Sequence, residues 1–436
     1  MPSTTRRGEQ PLILVASSGT FKREVFELAE QLGYKTLALE DESHKDQEFE
    51  DKHWVVKLRL YKSDSLLETA VDKLKSAGVN NPAGICTLWE LAVEPTAILA
   101  SRYKVTGITQ EAALLARDKF RMRQSLANRV RQVDRFELVN SVEEAKDFFR
   151  SVQCKPIMLK PRDLGASTGI LSIEDEEEIA DAWCQSWDAI HNFGNCYDYR
   201  TGYSSLLAEE MIPKGGREVN VDLFVNEGVP HVLGIAEKAD LMDGKTFRED
   251  AYVFPPFSLS GAELNDLAME AKRAVQALGI AFGAVHLEAK MVGSEGSRQS
   301  YVIELGARCA GDVEMPALKL HCGVDLRELV LRQAMGDLRN SDLKAAQVCD
   351  QNAGRGQAVA AQVIYADRPL TLTHDLQLEP AYREKYRVVK EVYAAKAGYK
   401  VELPENDYLG ALIALGDDST QAVDNVRRAV KSVRVD

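Results

Sequence analysis

The chain has 436 residues, enough for roughly two or three domains that share a substantial core. Acidic residues outnumber basic ones by 67 to 54, and the resulting formal charge of −13 disfavours a protein that binds nucleic acid through basic contacts to phosphates. Hydrophobic residues make up 45% of the chain and charged residues 28%, values that exclude a disordered or fibrous protein.

The distribution of apolar residues predicts a cytoplasmic protein without a membrane partner. The apolar run from Leu12 to Ala16 is too short for the core of a signal peptide, and no stretch reaches the roughly 18 to 20 apolar residues of a membrane span. The seven cysteines never form a Cys-x-x-Cys unit, so we expect reduced thiols rather than a zinc site or a disulfide framework.

The first elements predict a Rossmann-like α/β domain over residues 1–108. A strand at 12–16 is followed by a helical pattern at 21–32 and by a second strand at 36–39. The turn at 17–19 has the sequence Ser-Ser-Gly, which lacks the Gly-x-Gly-x-x-Gly pattern of a dinucleotide-binding turn.

A central helical segment and a small lid subdomain are predicted for residues 109–212. The apolar spacing predicts one long helix at 110–131. Strands at 156–160 and 170–173 then enclose a loop that carries glycine and serine, which indicates a hairpin with a flexible tip.

Residues 213–436 are predicted to form a large C-terminal subdomain, so the chain as a whole is of mixed α/β and α+β class. Apolar segments at 206–208 and 219–225 indicate strands on either side of a linker, where the small and large subdomains meet. The later elements are a helix at 263–278, strands at 358–365 and 409–415, and a closing helix at 419–432.

Two glutamates are predicted to face each other across a β-hairpin. Polar and apolar residues alternate from Val285 to Val292, the period of a strand with one polar face, and Glu304 interrupts a second apolar strand after a turn-rich loop. Symmetric pairing places Glu288 opposite Glu304 with Cβ atoms roughly 5 Å apart. Facing carboxylates repel each other, and a hard divalent cation that also binds substrate phosphates would balance them.

The hairpin alone leaves a structural alternative open, in which one glutamate faces solvent or pairs with Lys290 or Arg298. Arg308 favours the functional interpretation, because an arginine at a glycine-lined strand end can hold an anion through two hydrogen bonds beside the metal. Together these residues indicate phosphoryl chemistry.

Phosphate-binding residues are less specific in the sequence. Lys160 ends a strand and precedes the loop with Ser167, whose backbone N–H groups could fold over phosphate oxygens, although most such loops are surface turns and the pattern is not a Walker loop. Lys119 is explained equally by a charged helix face. The backbone of the segment 209–212 could contact the edge of an adenine ring, and Glu218 could form hydrogen bonds with ribose hydroxyls.

Taken in chain order, these motifs resemble those of the ATP-grasp superfamily. They are Lys119, the segment 160–169, Glu209-Glu-Met-Ile212, Gly216-Arg-Glu218, His286-Leu-Glu288 and Glu304-Leu-Gly-Ala-Arg308. The stretch from Glu304 to Asp312 is most similar to the L-amino-acid ligase group, carboxylate–amine ligases that join amino acids into dipeptides. The resemblance covers nearly the whole chain and implies a Rossmann-like domain followed by an ATP-grasp fold with a small lid and a large C-terminal subdomain.

The resemblance also implies roles for single residues. It implies ATP binding by Lys119, Lys160, Ser167, Glu210, Met211, Ile212 and Glu218, binding of Mg²⁺ or Mn²⁺ by Glu288 and Glu304, and catalysis by Arg308 with Lys160. Many ATP-grasp enzymes have asparagine two residues after the second metal glutamate, whereas this chain has Gly306, so the number of metal ions stays undecided.

The implied reaction is phosphorylation of a substrate carboxylate by ATP, followed by attack of an amine on the acyl phosphate to form an amide. Alternatives are another ATP-grasp chemistry, of carboxylase or purine-pathway type, or a non-catalytic nucleotide-binding module. Candidate substrate residues are His231, Arg248, His286, Asp312, Met315 and Pro316, for which core packing or solvent exposure is an equal explanation. Similar enzymes lead us to expect a homodimer, while the sequence does not identify the amino-acid-like substrates or the pathway.

Overall fold

The computed structural model describes residues 10–15, 22–43, 46–61, 66–153, 155–197, 202–240, 251–311, 313–352, 355–402 and 407–435. Among the helices of these residues, none combines the length and the apolar character needed to cross a membrane. The predicted substrate residues Arg248 and Asp312, and the turn at 17–19, lie outside the described residues.

A four-stranded parallel sheet forms the first part of the chain, with strand order β3-β2-β1-β4. Its elements are β1 (Leu12–Val15), α1 (Lys22–Gln31), β2 (Thr36–Asp41), α2 (Gln47–Glu50), β3 (Val55–Leu58), α3 (Leu66–Ser76), β4 (Gly84–Cys86) and α4 (Val93–Tyr103). The strands are almost wholly apolar because helices cover a parallel sheet on both faces. The alternation of strands and helices is the Rossmann-like arrangement that the sequence predicts.

Two short helices, α5 (Gln110–Arg117) and α6 (Lys119–Leu126), replace the single helix predicted at 110–131. The break falls at Asp118, whose backbone is extended and whose carboxylate accepts hydrogen bonds from the N–H groups of Phe120 and Arg121. Aspartate is a strong N-cap, so it begins a new helix instead of continuing the first one. The prediction of one helix was therefore wrong.

The second sheet is antiparallel and has the order β5-β8-β6-β7. Its elements are β5 (Phe136–Val139), α7 (Val142–Ser151), β6 (Ile157–Lys160), β7 (Leu171–Ile173), α8 (Ile179–Tyr197) and β8 (Leu206–Glu210). Phe148 of α7 and Ile179 of α8 pack on the buried residues Ile157 and Leu206 of the sheet. The predicted hairpin is present as the β6–β7 pair.

The third sheet has eight strands in the order β13-β12-β9-β10-β11-β14-β18-β16. The elements of this part are β9 (Arg217–Asn226), β10 (Val229–Lys238), β11 (Ala251–Phe254), α9 (Gly261–Ala277), β12 (Gly283–Val292), β13 (Gln299–Gly306), α10 (Glu314–Cys322), α11 (Leu326–Met335), α12 (Asn340–Gln351), β14 (Val359–Ile364), β15 (Leu370–Thr371), α13 (Pro380–Lys385), β16 (Val388–Tyr393), β17 (Lys400–Val401), β18 (Gly410–Leu415) and α14 (Ser419–Lys431).

Alternation along β9 and β12 sorts the residues of this sheet onto two faces. The odd-numbered residues, such as Val221 and Leu287, pack against Leu267 and other apolar residues of α9. The even-numbered residues face the other way, towards α10 and the N-terminal part of the chain, and several of them are polar. The candidate site lies on this second face.

Each of the three large sheets falls within one of the ranges 1–108, 109–212 and 213–436. The division of the chain into domains at those residues stays a prediction.

Candidate active site

Glu288 and Glu304 are paired across the β12–β13 hairpin, as the alternation predicts. An irregularity follows immediately, because the next pair is Ala289 with Val302 and Ile303 is the extra residue of β13. Both glutamate side chains line the same cleft, and they are 22% and 26% exposed. The two carboxylates are therefore accessible from one space and not from opposite faces of the sheet.

Two lysines from separate parts of the chain approach this pair. Lys119 Nζ lies 3.1 Å from Glu304 Oε2, and Lys238 Nζ lies 3.5 Å from Glu288 Oε2. Burial of the Glu304 carboxyl opposes its ionisation, but the positive charges of Lys119 and Lys160 lower its pKa overall. An ammonium group thus lies beside each of the two carboxylates.

Lys160 ends β6 and is held by a buried ion network. Its Nζ lies 2.6 Å from Glu209 Oε1, and Arg123 Nε lies 2.8 Å from Glu209 Oε2. Although burial alone would raise the pKa of the Glu209 carboxyl, Arg123 and Lys160 lower it to about 2. Glu209 fixes the Lys160 ammonium at the cleft wall, a role that sequence reasoning missed.

The apolar end of the cleft lies at the linker between the second and third sheets. The cleft encloses about 660 Å³, part of it open to solvent, and Met158, Ile170, Met211, Ile212 and Ile303 line it. Glu210 lines an adjoining pocket. The backbone N–H groups of Glu210 and Met211 already donate to the carbonyls of Arg135 and Pro156, so an adenine edge would have to meet the linker carbonyls or Ile212.

Glu218, at the start of β9, lines the same cleft and lies 3.1 Å from Lys238 Nζ. Burial raises the pKa of the Glu218 carboxyl, with Glu288 adding to the rise and Lys238 opposing it. Sequence reasoning missed Lys238. The charged pair Glu237 and Lys238 ends an apolar strand, but nothing local in the sequence identifies the partners of Lys238.

The loop between β6 and β7 reaches over the cleft. Ser167 lines the cleft, and Ala166 and Ser167 adopt φ angles of 52° and 53°, a left-handed conformation that is unfavourable for residues with a side chain. The loop is tied to the helix break, because Lys119 Nζ donates to the Leu164 carbonyl at 2.7 Å and Arg117 donates to the Asp163 carbonyl.

Arg308 points towards Glu90, which follows β4 in the N-terminal part of the chain. The distance from Arg308 Nε to Glu90 Oε2 is 2.8 Å, and Arg117 Nη1 lies 2.7 Å from Glu90 Oε1. Burial opposes ionisation of Glu90, yet the two arginines lower its pKa to about 2. Sequence reasoning missed Glu90, although carboxyl ends of parallel strands are where ligands bind in such sheets.

A buried polar cluster adjoins Glu288. His286 Nδ1 lies 3.0 Å from Asp222 Oδ1 on β9, and its Nε2 lies 3.9 Å from Glu288 Oε1. Burial of the imidazole would lower its pKa, but the negative charges of Glu314 and Asp222 raise it to about 9. His286 also lines a small pocket together with Glu90, Glu304 and Arg308.

The other predicted substrate residues lie apart from these groups. His231 pairs with Phe224 of β9. Phe224 lies four residues from Asn220 along this strand, a distance of roughly 13 Å. Burial lowers the pKa of the His231 imidazole. Met315 and Pro316 are buried in the first turn of α10. The structure thus brings together His286 and the predicted ATP and metal residues, but not His231.

The arrangement fits a nucleotide with a divalent cation. Carboxylate oxygens are the ligands that Mg²⁺ prefers, and the surrounding lysines and Arg308 offer positive charge to phosphates. Apolar side chains at the linker end offer a surface for a flat ring. One cleft therefore combines places for a base, a phosphate chain and a hard cation.

Comparison with known proteins identifies the class. Residues 153–316 match the family model described as the ATP-grasp domain. This match confirms the predicted resemblance to the ATP-grasp superfamily. The matched range holds Lys160, the loop over the cleft and both glutamates of the hairpin.

Curated relatives of the chain include the alanine–anticapsin ligase of Bacillus subtilis strain 168, which is 26% identical over 276 residues. The match covers 61% of this chain and 56% of the relative, so it spans little more than half the length of the curated protein. A second alanine–anticapsin ligase, from Bacillus amyloliquefaciens, is 25% identical over 274 residues and has the same coverage.

Solved structures agree over nearly the whole chain and confirm the predicted fold. The L-amino acid ligase from Bacillus licheniformis has a TM-score of 0.77 at 21% identity, with 98% of both chains covered. A biotin carboxylase complex from Campylobacter jejuni has a TM-score of 0.71 at 17% identity, covering 98% of this chain and 92% of that one. Phosphoribosylglycinamide synthetase from Anaerococcus prevotii has a TM-score of 0.70 at 16% identity, covering 98% of this chain and all of that one.

Proposed function

We propose that the protein is an ATP-dependent carboxylate–amine ligase that joins amino-acid-like substrates through an acyl phosphate. The observation that carries the proposal is the cleft in which Glu288 and Glu304 face the same space as Lys119, Lys160 and Lys238. The relatives named as alanine–anticapsin ligases support the choice of an amino-acid ligase over other ATP-grasp chemistries.

ATP would lie in this cleft with its base at the linker end. Lys160 and Lys119 would bind phosphate oxygens, Ser167 and its loop would cover the terminal phosphate, and Glu218 would accept hydrogen bonds from the ribose. Lys119 already bonds both Glu304 and the loop carbonyl of Leu164, so nucleotide binding would redistribute contacts that hold the loop in place. Lys238 would balance the charge of Glu218 and Glu288.

Glu288 and Glu304 would hold Mg²⁺ or Mn²⁺, which neutralises phosphate charge when bound. The substrate carboxylate would attack the γ-phosphorus, giving an acyl phosphate and ADP, and the amine would then attack the acyl carbon and release phosphate. Arg308 would stabilise the negative charge of the acyl phosphate and of the tetrahedral intermediate, and its position in the lining of the small pocket with both glutamates supports this role.

The proposal is tested by incubating the purified protein with ATP, Mg²⁺ and pairs of amino acids, with phosphate release and product mass as readouts. Phosphate release that needs both a carboxylate and an amine, with a product of the mass of the condensed pair, is expected. ATP hydrolysis without a condensed product, or release that needs bicarbonate instead of an amine, would contradict it.

Glu304→Gln supplies the matched variant for this test. The amide keeps the shape of the side chain and removes the charge, so we expect the folded protein to lose ligase activity by on the order of 100-fold. Unchanged activity in this variant would remove the assigned metal role. The homodimer stays a prediction that light scattering of the same preparation can test, and the cytoplasmic location stays a prediction that fractionation of the source cells can test.

A further inference from the structure

A second polar cluster lies deeper in the protein than the two glutamates of the cleft. It consists of Asp222 on β9, His286 on β12 and Glu314 in the first turn of α10, which are 0%, 6% and 4% exposed. One oxygen or nitrogen atom from each residue lies within 4.8 Å of those from the other two. The cluster therefore joins one helix end to two neighbouring strands.

The cluster holds an excess of negative charge. Asp222 and Glu314 each bring a carboxylate, whereas His286 brings at most one positive charge and shares its Nδ1 with Asp222 at 3.0 Å. Asn220 donates to both Glu314 oxygens at 3.1 Å but carries no charge. The Arg308 guanidinium also acts on His286, but it is paired with Glu90 at 2.8 Å. A net negative charge that is buried away from water is unfavourable unless a cation lies beside it.

Two buried oxygen atoms in the cluster have no hydrogen-bond partner. They are Asp222 Oδ2 and Asn220 Oδ1. Residues 220 and 222 alternate along β9, so their side chains project to the same side of the sheet, towards Glu314. Most buried polar atoms in folded proteins are satisfied, and two orphaned acceptors beside two carboxylates indicate a missing positive ligand.

We propose that Asp222, His286 and Glu314 bind a divalent transition-metal ion, with the side-chain oxygen of Asn220 as a further ligand. A donor set of oxygens with one imidazole nitrogen suits Mn²⁺ or Zn²⁺, whereas Mg²⁺ and Ca²⁺ prefer oxygen alone. This site adjoins the one at Glu288 and Glu304, since His286 Nε2 lies 3.9 Å from Glu288 Oε1, but its ligands come from a different set of residues, are more deeply buried and need no nucleotide.

The ion would fasten the start of α10 to β9 and β12. The segment between β13 and α10 carries Arg308, so the position of that arginine depends on where α10 begins. The proposed ion would thus be a structural support behind the cleft, and its binding can be measured without any ligase reaction.

The test measures metal retained by the untagged full chain in the absence of ATP. The protein is stripped with EDTA, loaded with MnCl₂ or ZnCl₂, desalted and analysed by inductively coupled plasma mass spectrometry. We expect about one ion per chain and a higher midpoint of thermal unfolding in the loaded protein. Wild-type protein that retains no ion would overturn the proposal by itself.

Three variants separate this site from the nucleotide site. Glu314→Gln and Asp222→Asn should weaken ion retention by roughly tenfold or more, while Glu304→Gln should retain the ion as the wild type does. Loss of the ion in Glu304→Gln with retention in Glu314→Gln would assign it to the cleft and overturn the proposal. If a variant of the cluster fails to fold, wild-type retention and the Glu304→Gln control decide. Failure of the ligase proposal would leave these measurements unchanged, since none of them uses ATP.

Discussion

Lys238 lies beside two of the carboxylates that line the cleft. Its ammonium lies between Glu218 at 3.1 Å and Glu288 at 3.5 Å, and all three side chains line the cleft. Without it, two neighbouring carboxylates would face each other across β9 and β12. Lys238 therefore places one positive charge between the two carboxylates while leaving both within reach of a ligand.

Replacing Lys238 by methionine tests this role. We expect Lys238→Met to reduce the ATP-dependent phosphate release by on the order of 100-fold and to raise the KM for ATP, because the variant loses the positive charge between Glu218 and Glu288 in the proposed ATP cleft. Lys272→Met is the matched control, since Lys272 on α9 pairs with Asp350 instead. Equal activity of the two variants would refute the role of Lys238.

Glu209 links the stability of the lid sheet to pH. Its pKa in the folded protein is about 2, below the ordinary value of 4.5, so its ionised form stabilises the fold fully above pH 4.5 and loses that effect as the pH falls towards 2. Glu209→Gln should lower the free energy of unfolding at pH 7 by roughly 3 kcal/mol, because Arg123 and Lys160 lose their buried partner.

The measurement is urea unfolding at several pH values between 7 and 3. Wild type should lose more stability over this range than Glu209→Gln, whose curve lacks the contribution of the carboxyl. Glu137→Gln, at an exposed position of the neighbouring strand β5, should follow the wild type. A pH dependence in Glu209→Gln as steep as that of the wild type would show that other groups cause it.

Single residues were predictable where a local pattern singled them out. Glu288 and Glu304 interrupt apolar strands at matching distances from one turn, so the sequence alone predicts that they meet. Glu90 and Lys238 have no such partner nearby in the chain, because their contacts join residues that are 218 and 50 positions apart. Long-range ion pairs leave no periodic signal in a single sequence.

The boundary between α5 and α6 also helps to hold the loop over the cleft. Asp118 caps α6, and the same carboxylate bonds Arg162 of the loop region through Nε at 3.2 Å and through Nη2. The Arg162 guanidinium in turn lies 3.6 Å from the centre of the Tyr203 ring. One aspartate thus ends a helix and anchors the segment that leads into the loop over the cleft.

Two substitutions at Asp118 separate these functions. Asparagine is as good an N-cap as aspartate, so Asp118→Asn should keep the cap and lose the ion pairs with Arg162 and Arg121, with a destabilisation of about 3 kcal/mol. Asp118→Ala should lose a further ~1 kcal/mol with the cap. Urea unfolding checks both values, and equal stability of the two variants would mean that the cap contributes nothing measurable.

Hydrophobic periodicity predicted two helices beside the third sheet closely, since each repeats one pattern over many residues, whereas β10, β11 and the helices α10 to α13 were not predicted. The helix predicted at 263–278 is α9 at Gly261–Ala277, and the closing helix at 419–432 is α14 at Ser419–Lys431. The α5–α6 break was missed because both halves share the same spacing of apolar residues. A capping aspartate in the interior of a helical pattern was the available signal.

At the scale of the whole molecule, all three parts of the chain contribute side chains to the region around the cleft. Glu90 comes from the first sheet, Lys160 from the second, and Glu304 and Arg308 from the third. Gly306 lies where they converge, because a Cβ atom added there would lie 2.9 Å from Glu90 Oε2. The glycine that replaces the asparagine of many ATP-grasp enzymes therefore makes room for a carboxylate from the N-terminal part.

Gly306→Ala is predicted to disturb the contact between Glu90 and Arg308. The added methyl group should push the Glu90 carboxylate away from Arg308, which it now meets at 2.8 Å, and a displaced arginine should slow the reaction by roughly 10- to 100-fold. ATP binding, measured by calorimetry, should be unchanged because the contact between Glu90 and Arg308 does not involve the lysines that we propose to bind the phosphates. Gly311→Ala is the matched control, since a Cβ there has open space around it. Slowing by the same factor in both variants would mean that the contact between Glu90 and Arg308 does not position the arginine, and the N-terminal part would then have no demonstrated role in the chemistry.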